Sequence, residues 1–226
     1  MNWNTLHDMK LKDARVLTRV DLNVPTEKGV VSDSTRIERI KPTIKYILKK
    51  GGTPVLIAHY GRPAGKEIPE MSLRFLVPKL EEVLGSSVIF TTLNNAEKTI
   101  KLNWKKVILI ENIRFEPGEQ IKDLGLAQRI ADLGDLYCND AFSVAHRAHA
   151  STVGVAYLLP SCAGLLMSSE LDALEAALGD PERPLVAVVG GAKVSTKINL
   201  LENLIKKVDH LVICLLYTSP SPRDRG

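Results

Sequence analysis

The chain has 226 residues, 45% of them apolar and 25% charged, with 15 Gly and 12 Pro, which excludes a collagen, a continuous coiled coil and wholesale disorder. That length predicts one large or two modest domains with a core of real size. Thirty Lys+Arg against 26 Asp+Glu leave a net charge of +4 with both signs interspersed, and two Trp, five Tyr and four Phe are few for base stacking, so small anions are expected as partners and nucleic acid is not.

In chain order, the first β-rich run is Arg15–Val20. Ser32-Asp33-Ser34 then signals a helix start, followed at helical spacing by Ile37, Ile40, Ile44, Ile47 and Leu48, and Gly51-Gly52 ends it. Pro42 inside this segment predicts a kink or a late start. A second run, Thr53–Ala58, precedes a helix opened by Ser72 that carries Leu73, Leu76, Val77, Leu80 and Leu84 up to Gly85, with Pro78 interrupting it. Lys106–Ile110 is the third run, Leu124–Leu133 the next helix and Leu136–Cys138 the fourth run. Ser169-x-x-Asp172 predicts the start of a connecting helix over Ser169–Leu178, closed by Gly179-Asp180-Pro181 and Pro184. Beyond it lie the runs Leu185–Val189 and His210–Ile213, separated by a helical pattern through Ile198, Leu201, Leu204 and Ile205.

Alternating strand and helix with nearly continuous apolar strands is the pattern of an α/β fold with a parallel sheet. The expected division is a first domain over residues 1–168, a connecting helix and hinge over 169–183, the start of a second domain over 184–213, and a foreign-looking, disordered tail over 214–226, Pro/Ser/Arg-rich with no helical or strand period past Tyr217. Cys138, Cys162 and Cys214 form no Cys-x-x-Cys pair and sit in or beside apolar runs, as reduced core thiols do, and no metal site is expected from them. Charged residues occupy the N-terminus where a secretory apolar region would fall, and the longest apolar stretch, Leu211–Tyr217, is far below a spanning length. A cytoplasmic protein without a membrane partner is expected.

In open parallel sheets, ligands bind beyond the carboxyl ends of strands. Val20 is followed by Asp21-Leu22-Asn23, Ala58 by His59-Tyr60-Gly61-Arg62, Ile110 by Glu111-Asn112-Ile113-Arg114, and Cys138 by Asn139-Asp140 and then His146-Arg147. With Arg36 entering from the first helix, these loops are expected to converge at one edge. Guanidinium forks bind carboxylate and phosphate bidentately, so the set suits a small, multiply anionic metabolite. Asp21 and Asn23 fit equally an acceptor pair for a ligand hydroxyl and a turn before Pro25. In the second domain, Gly190-Gly191 follow a strand and precede a helix bearing Lys193 and Lys197. Two lysines on one face near a positive helix end repel each other and the macrodipole, which makes sense where an anion docks.

The strings Arg19-Val-Asp-Leu-Asn-Val-Pro25, His59-Tyr-Gly-Arg-Pro63, Glu111-Asn-Ile-Arg-Phe115, Asn139-Asp-Ala-Phe142 with Ala145-His-Arg-Ala-His-Ala150, and Gly190-Gly-Ala-Lys-Val194 resemble, in order, those of phosphoglycerate kinases. The resemblance covers residues 1 to about 213 and implies a doubly wound, Rossmann-like first domain joined to the truncated start of a second. It implies phosphoryl transfer between 1,3-bisphosphoglycerate and ADP, giving 3-phosphoglycerate and ATP with Mg2+, in a family whose members are usually monomeric. By motif, Asp21, Leu22 and Asn23 would meet the substrate's carboxyl end and hydroxyl. His59, Tyr60, Gly61, Arg62, Arg114, His146 and Arg147 would surround its phosphate, and Arg36 would act on the phosphoryl group in flight. Gly190, Gly191, Lys193 and Lys197 would meet the nucleotide, with both lysines counted as catalytic. Tyr60, Ile113 and Ser143-Val144 depart from the family's usual residues, the last pair standing where Gly-Thr is common. The adenosine site and most metal-binding groups would lie on chain beyond this one. The resemblance therefore implies a fragment that binds 3-phosphoglycerate and turns over little or nothing. The competing expectation, a non-catalytic phosphometabolite-binding module, keeps the arginines but needs no lysine pair.

Overall fold

A computed structural model describes residues 3–27, 29–179, 181–190 and 198–214. The chain divides into two compact units, residues 1–170 and 171 onward. In order, the elements are β1 (Arg15–Val20), β2 (Thr26–Glu27), β3 (Val30–Val31), α1 (Thr35–Lys49), β4 (Thr53–Ile57), α2 (Val77–Leu84), β5 (Val88–Thr91), α3 (Ala96–Leu102), β6 (Val107–Ile110), α4 (Leu124–Ala131), β7 (Leu136–Asp140), α5 (Phe142–Ala145), β8 (Ser161–Ala163), α6 (Leu165–Leu178), β9 (Val186–Gly190), α7 (Ile198–Ile205) and β10 (His210–Cys214).

In the first unit, six parallel strands form one sheet in the order β5-β6-β4-β1-β7-β8. The chain moves outward from β1 through β4 and β5, returns to β6, and then crosses to β7 on the other side of β1. That reversal beside β1 is where an α/β sheet opens a crevice beyond its strand ends. Register aligns those ends: Val20 pairs with Asp140 and Arg19 with Ile57. Successive strand residues feed opposite faces. Val55, Ile57, Ile108 and Ile110 pack with Ile100 of α3 and Ile130 of α4, whereas Leu56, Ala58, Val107 and Leu109 pack with Ile40 and Ile44 of α1 and Leu80 of α2. Helices therefore cover both faces, as the expected doubly wound α/β class requires, and each fully buried aliphatic side chain contributes about 1.5–3 kcal/mol.

Helix α1 begins at the expected signal, where Asp33 Oδ1 accepts from the Thr35 amide at 2.8 Å, and continues past Pro42 without a late start. The helix expected from Ser72 is instead two pieces. Ser72 Oγ accepts from the Arg74 amide in a short 3-10 segment, Leu73–Leu76, and α2 starts anew with Pro78 in its first turn, where a missing N–H costs nothing. The connecting helix starts four residues earlier than Ser169, at Leu165. Its first amides are taken up by remote groups: Thr43 Oγ1 accepts from Leu165 N at 3.0 Å and the buried Asp140 Oδ1 from Met167 N at 3.0 Å. A cap supplied from α1 and β7 leaves no signal in the local sequence.

In the second unit, β9 and β10 pair in parallel, His210 opposite Val186 and Cys214 opposite Gly190, with α7 between them in the chain. Among the described residues no helix is long and apolar enough to cross a membrane.

Candidate functional site

At the end of β1 the Asp21-x-Asn23 turn is formed: Asp21 Oδ1 accepts from the Asn23 amide at 3.0 Å. Its other oxygen, Oδ2, accepts from Arg36 Nη1 and from Ser143 Oγ, both at 2.7 Å, and Arg36 Nη1 also donates to the Asn23 carbonyl at 3.1 Å. Burial works to raise the Asp21 carboxyl, but the bonds from Ser143 and Asn23 and the Arg36 charge outweigh it and hold the group below its usual value. Ser143, one of the departures from the family's usual residues, is thus a direct partner of this carboxylate. The side chain of Leu22 is sealed in the core and offers a ligand no contact.

Beyond β4, Gly61 joins two loops. Its amide donates to Asn23 Oδ1 at 3.0 Å and its carbonyl accepts from Arg114 Nη1 at 2.7 Å. The φ of +62° and a would-be Cβ only 2.9 Å from Met71 Sδ explain why glycine stands there. Tyr60 turns away from the arginines: its hydroxyl bonds Thr26 Oγ1 at 3.0 Å and its ring meets Phe75 edge-on at 5.2 Å. It lines, with Phe75 and Phe115, a cavity of about 880 Å³ that includes none of the expected arginines. A smaller cavity of about 350 Å³ lies against Asp21, Arg36, Arg39 and Ser143.

His59 is 5% exposed and its Nδ1 lies 2.9 Å from Nη2 of Arg19. Because an arginine only donates, Nδ1 is the acceptor and the ring proton resides on Nε2. Burial, then the charges of Arg19 and Arg114, push the His59 pKa down to about 3, so the ring is neutral at physiological pH. Arg114, after β6, is 4% exposed. It spends Nη1 on Gly61, while its Nε and Nη2 are buried with no hydrogen-bond partner among the described residues. Burial, then the like charges of Arg147, Arg19 and Arg62, disfavour its charged form. Arg147 is half-buried; Arg62 and His146 are exposed, and no side-chain hydrogen bond engages any of the three among the described residues. An arginine cluster with two buried, unsatisfied donors is poised for an anion that carries several acceptor oxygens.

The structure adds partners that the motifs did not single out. Arg19, inside β1 and 1% exposed, donates through Nε to Ser151 Oγ at 3.2 Å and through Nη1 to the Val20 carbonyl at 2.6 Å. Glu119, equally buried, accepts from Ser151 Oγ at 2.6 Å and Ser151 N at 2.9 Å, with His149 Nδ1 at 3.5 Å. The one sequence signal was an arginine breaking an apolar strand run. Gly190 ends β9; Gly191, Lys193 and Lys197 lie outside the described residues, as do residues 215–226 of the expected tail, whose first residue, Cys214, instead closes β10 opposite Gly190. Among the described residues no group of three His, Cys, Asp or Glu side chains could hold a metal ion.

The phosphoglycerate kinase family profile matches residues 6–216, three residues past the expected end of the resemblance. Phosphoglycerate kinases of Roseobacter denitrificans and Dinoroseobacter shibae are 61% and 62% identical over 213 residues, covering 94% of this chain and 54% of each relative. Among solved structures, phosphoglycerate kinase from Coxiella burnetii superimposes with a TM-score of 0.83 at 42% identity, over 93% of this chain and 54% of that one. The Pyrococcus horikoshii enzyme gives 0.82 at 29% identity, over 94% and 55%. The chain thus spans about half the length of the curated relatives it matches. With its strand-end arginines, six-stranded parallel sheet and ordered motifs, the chain belongs to the phosphoglycerate kinase family.

Proposed function

We propose that residues 1–168 are the half of a phosphoglycerate kinase that binds 3-phosphoglycerate or 1,3-bisphosphoglycerate, that 169–183 form the connecting helix and hinge, and that 184–213 begin the nucleotide half. The observation that carries this reading is Arg114: two buried donors without partners, with Arg19, Arg62 and Arg147 close enough to act on its charge. A phosphate supplies the acceptors and offsets the mutual repulsion of the guanidiniums. His59 adds an uncharged Nε2–H donor. Arg62 and His146 reach the ligand from the exposed rim, and Asp21 and Asn23 hold its hydroxyl and carboxyl end through the turn they share with Arg36.

The family reaction moves a phosphoryl group from the acyl phosphate of 1,3-bisphosphoglycerate to ADP, leaving a carboxylate. A carboxylate is ionised at neutral pH, so it needs no general acid when it leaves and no general base when it attacks in the ATP-consuming direction, and the chain's contribution is positioning and charge stabilisation. Arg36, tethered to Asp21, supplies the charge on the phosphoryl group in flight. Gly190, Gly191, Lys193 and Lys197 serve ATP or ADP, whose Mg2+ would be held mainly by the half of the family's length that this chain does not span. A polypeptide of these 226 residues alone binds the acid and turns over little or nothing, because it spans about half of its relatives' length.

Calorimetric titration of 3-phosphoglycerate into the 226-residue chain tests the site. Binding is expected, weakened at least about tenfold by Arg114→Ala, Arg62→Ala or Arg147→Ala, the equivalent of one charge-assisted hydrogen bond. A folded wild-type chain that takes up no ligand at millimolar concentration would refute the reading. In a full-length relative, the Arg36→Ala equivalent is expected to lose on the order of 10³ in rate; activity within tenfold of wild type removes Arg36 from the transition state.

A further inference from the structure

Buried arginines are costly unless a counter-charge and hydrogen bonds hold them. Arg19 is buried at the base of the basic edge, with Arg114 and Arg147 acting on the same neighbourhood. The foremost negative charge acting on it belongs to Glu119, which lies on the loop after β6 and does not touch it. Ser151 bridges the two: its amide and hydroxyl donate to the Glu119 oxygens, and its hydroxyl oxygen accepts from Arg19 Nε. The Glu119 backbone carbonyl also accepts from the Ala150 amide at 2.9 Å, fastening the loop to the segment that carries Ser151. Burial alone would raise the Glu119 carboxyl; the bonds from His149 and Ser151 and the Arg19 charge hold it below its usual value, hence ionised.

From this chain of contacts we infer that Glu119 is the positioning residue of the basic edge, acting through Ser151 and Arg19 to fix the His59 ring as an Nε2–H donor. The inference rests on reading that edge as a 3-phosphoglycerate site and adds what sets its donor pattern. An imidazole free to exchange tautomers would present a lone pair at Nε2 part of the time, and a lone pair repels a phosphate oxygen. Arg19 removes that state by occupying Nδ1. Arg19 keeps its aim because the Val20 carbonyl holds Nη1 while Ser151 and the Glu119 charge seat the Nε side.

The test is ring-nitrogen NMR of the 226-residue chain, with the His59 signals assigned by their loss in His59→Gln, together with calorimetric titration of 3-phosphoglycerate. Wild type is expected to show one tautomer, protonated at Nε2. Glu119→Gln keeps the shape and removes the charge; Ser151→Ala keeps both charges and removes the bridge. Each is expected to populate both tautomers and to weaken 3-phosphoglycerate binding about tenfold, as loss of one aligned donor to a charged ligand does. A merely structural Glu119 would lower stability and leave the tautomer alone, so a single Nε2–H form retained in the folded variants overturns the inference. Should Glu119→Gln not fold, Ser151→Ala decides with the same two outcomes. A wild-type chain with the fixed tautomer, lost in the variants, but with no affinity for 3-phosphoglycerate sustains the positioning role and sinks the ligand assignment.

Discussion

Leu56 in β4 and Val188 in β9 are both aliphatic residues inside parallel strands, yet Leu56 is fully buried and Val188 is 69% exposed. Their local sequences, Thr-Pro-Val-Leu-Ile and Val-Ala-Val-Val-Gly, are equally good strands. The difference lies in what surrounds them. β4 has β1 and β6 as hydrogen-bonded neighbours and packed helices over both faces, whereas β9 is paired with β10 in a two-stranded sheet, and Ile198, Ile205, Val212 and Ile213 are exposed as well. Parallel strands derive their stability from cover on both faces, so a βα unit has strand character before it has a core. The relatives, with about twice the chain length, show how much further polypeptide accompanies this unit in the family.

Leu56→Ala should have the largest effect, about 2–5 kcal/mol in urea unfolding, because it opens a cavity at the sheet centre; a cost below 1 kcal/mol would mean the centre collapses freely. Gly164→Ala comes next. A Cβ there would collide with the Asp140 carboxylate, and such overpacking costs about 1–3 kcal/mol, readable as a lowered Tm. Acid acts more gradually. His59 has a folded pKa of about 3 against 6.5 in the unfolded chain, so the unfolded state takes up the proton first. This contribution is complete above pH 6.5 and declines as pH falls towards 3, with a slope of at most about 1.4 kcal/mol per pH unit. His59→Gln should flatten that part of the stability–pH curve, and an unchanged curve would place His59 in contact with water. Val188→Ala should be the smallest effect, within about 0.5 kcal/mol. A loss comparable to that at Leu56 would show the second unit to be covered in solution.

The central strands were legible because β1, β4, β6 and β7 are long apolar runs. The edge strands β5 and β8 were not: Val88–Thr91 is only partly buried and Ser161–Ala163 is three residues long after a proline, so neither shows a period. Of the site, the positions at strand ends were readable, and His59, Arg114 and Arg147 come to one neighbourhood. Pairing was not readable. Asp21 and Arg36, assigned separate tasks from the motifs, form one ion pair at 2.7 Å, and Tyr60 belongs with Phe75 rather than with the arginines. Arg19 and Glu119 are 100 positions apart in the numbering and meet only through Ser151, a relation no local pattern encodes.

Helix α6 takes its capping groups from α1 and β7. Asp140 is the last residue of β7, one position beyond Asn139, and Oδ1 grips the first turn of the connecting helix while Thr43 grips its leading amide. The helix is therefore riveted to the rim rather than strung from it by a slack tether. Replacing Thr43 or Asp140 would therefore free the leading amides of α6, although neither residue belongs to that helix.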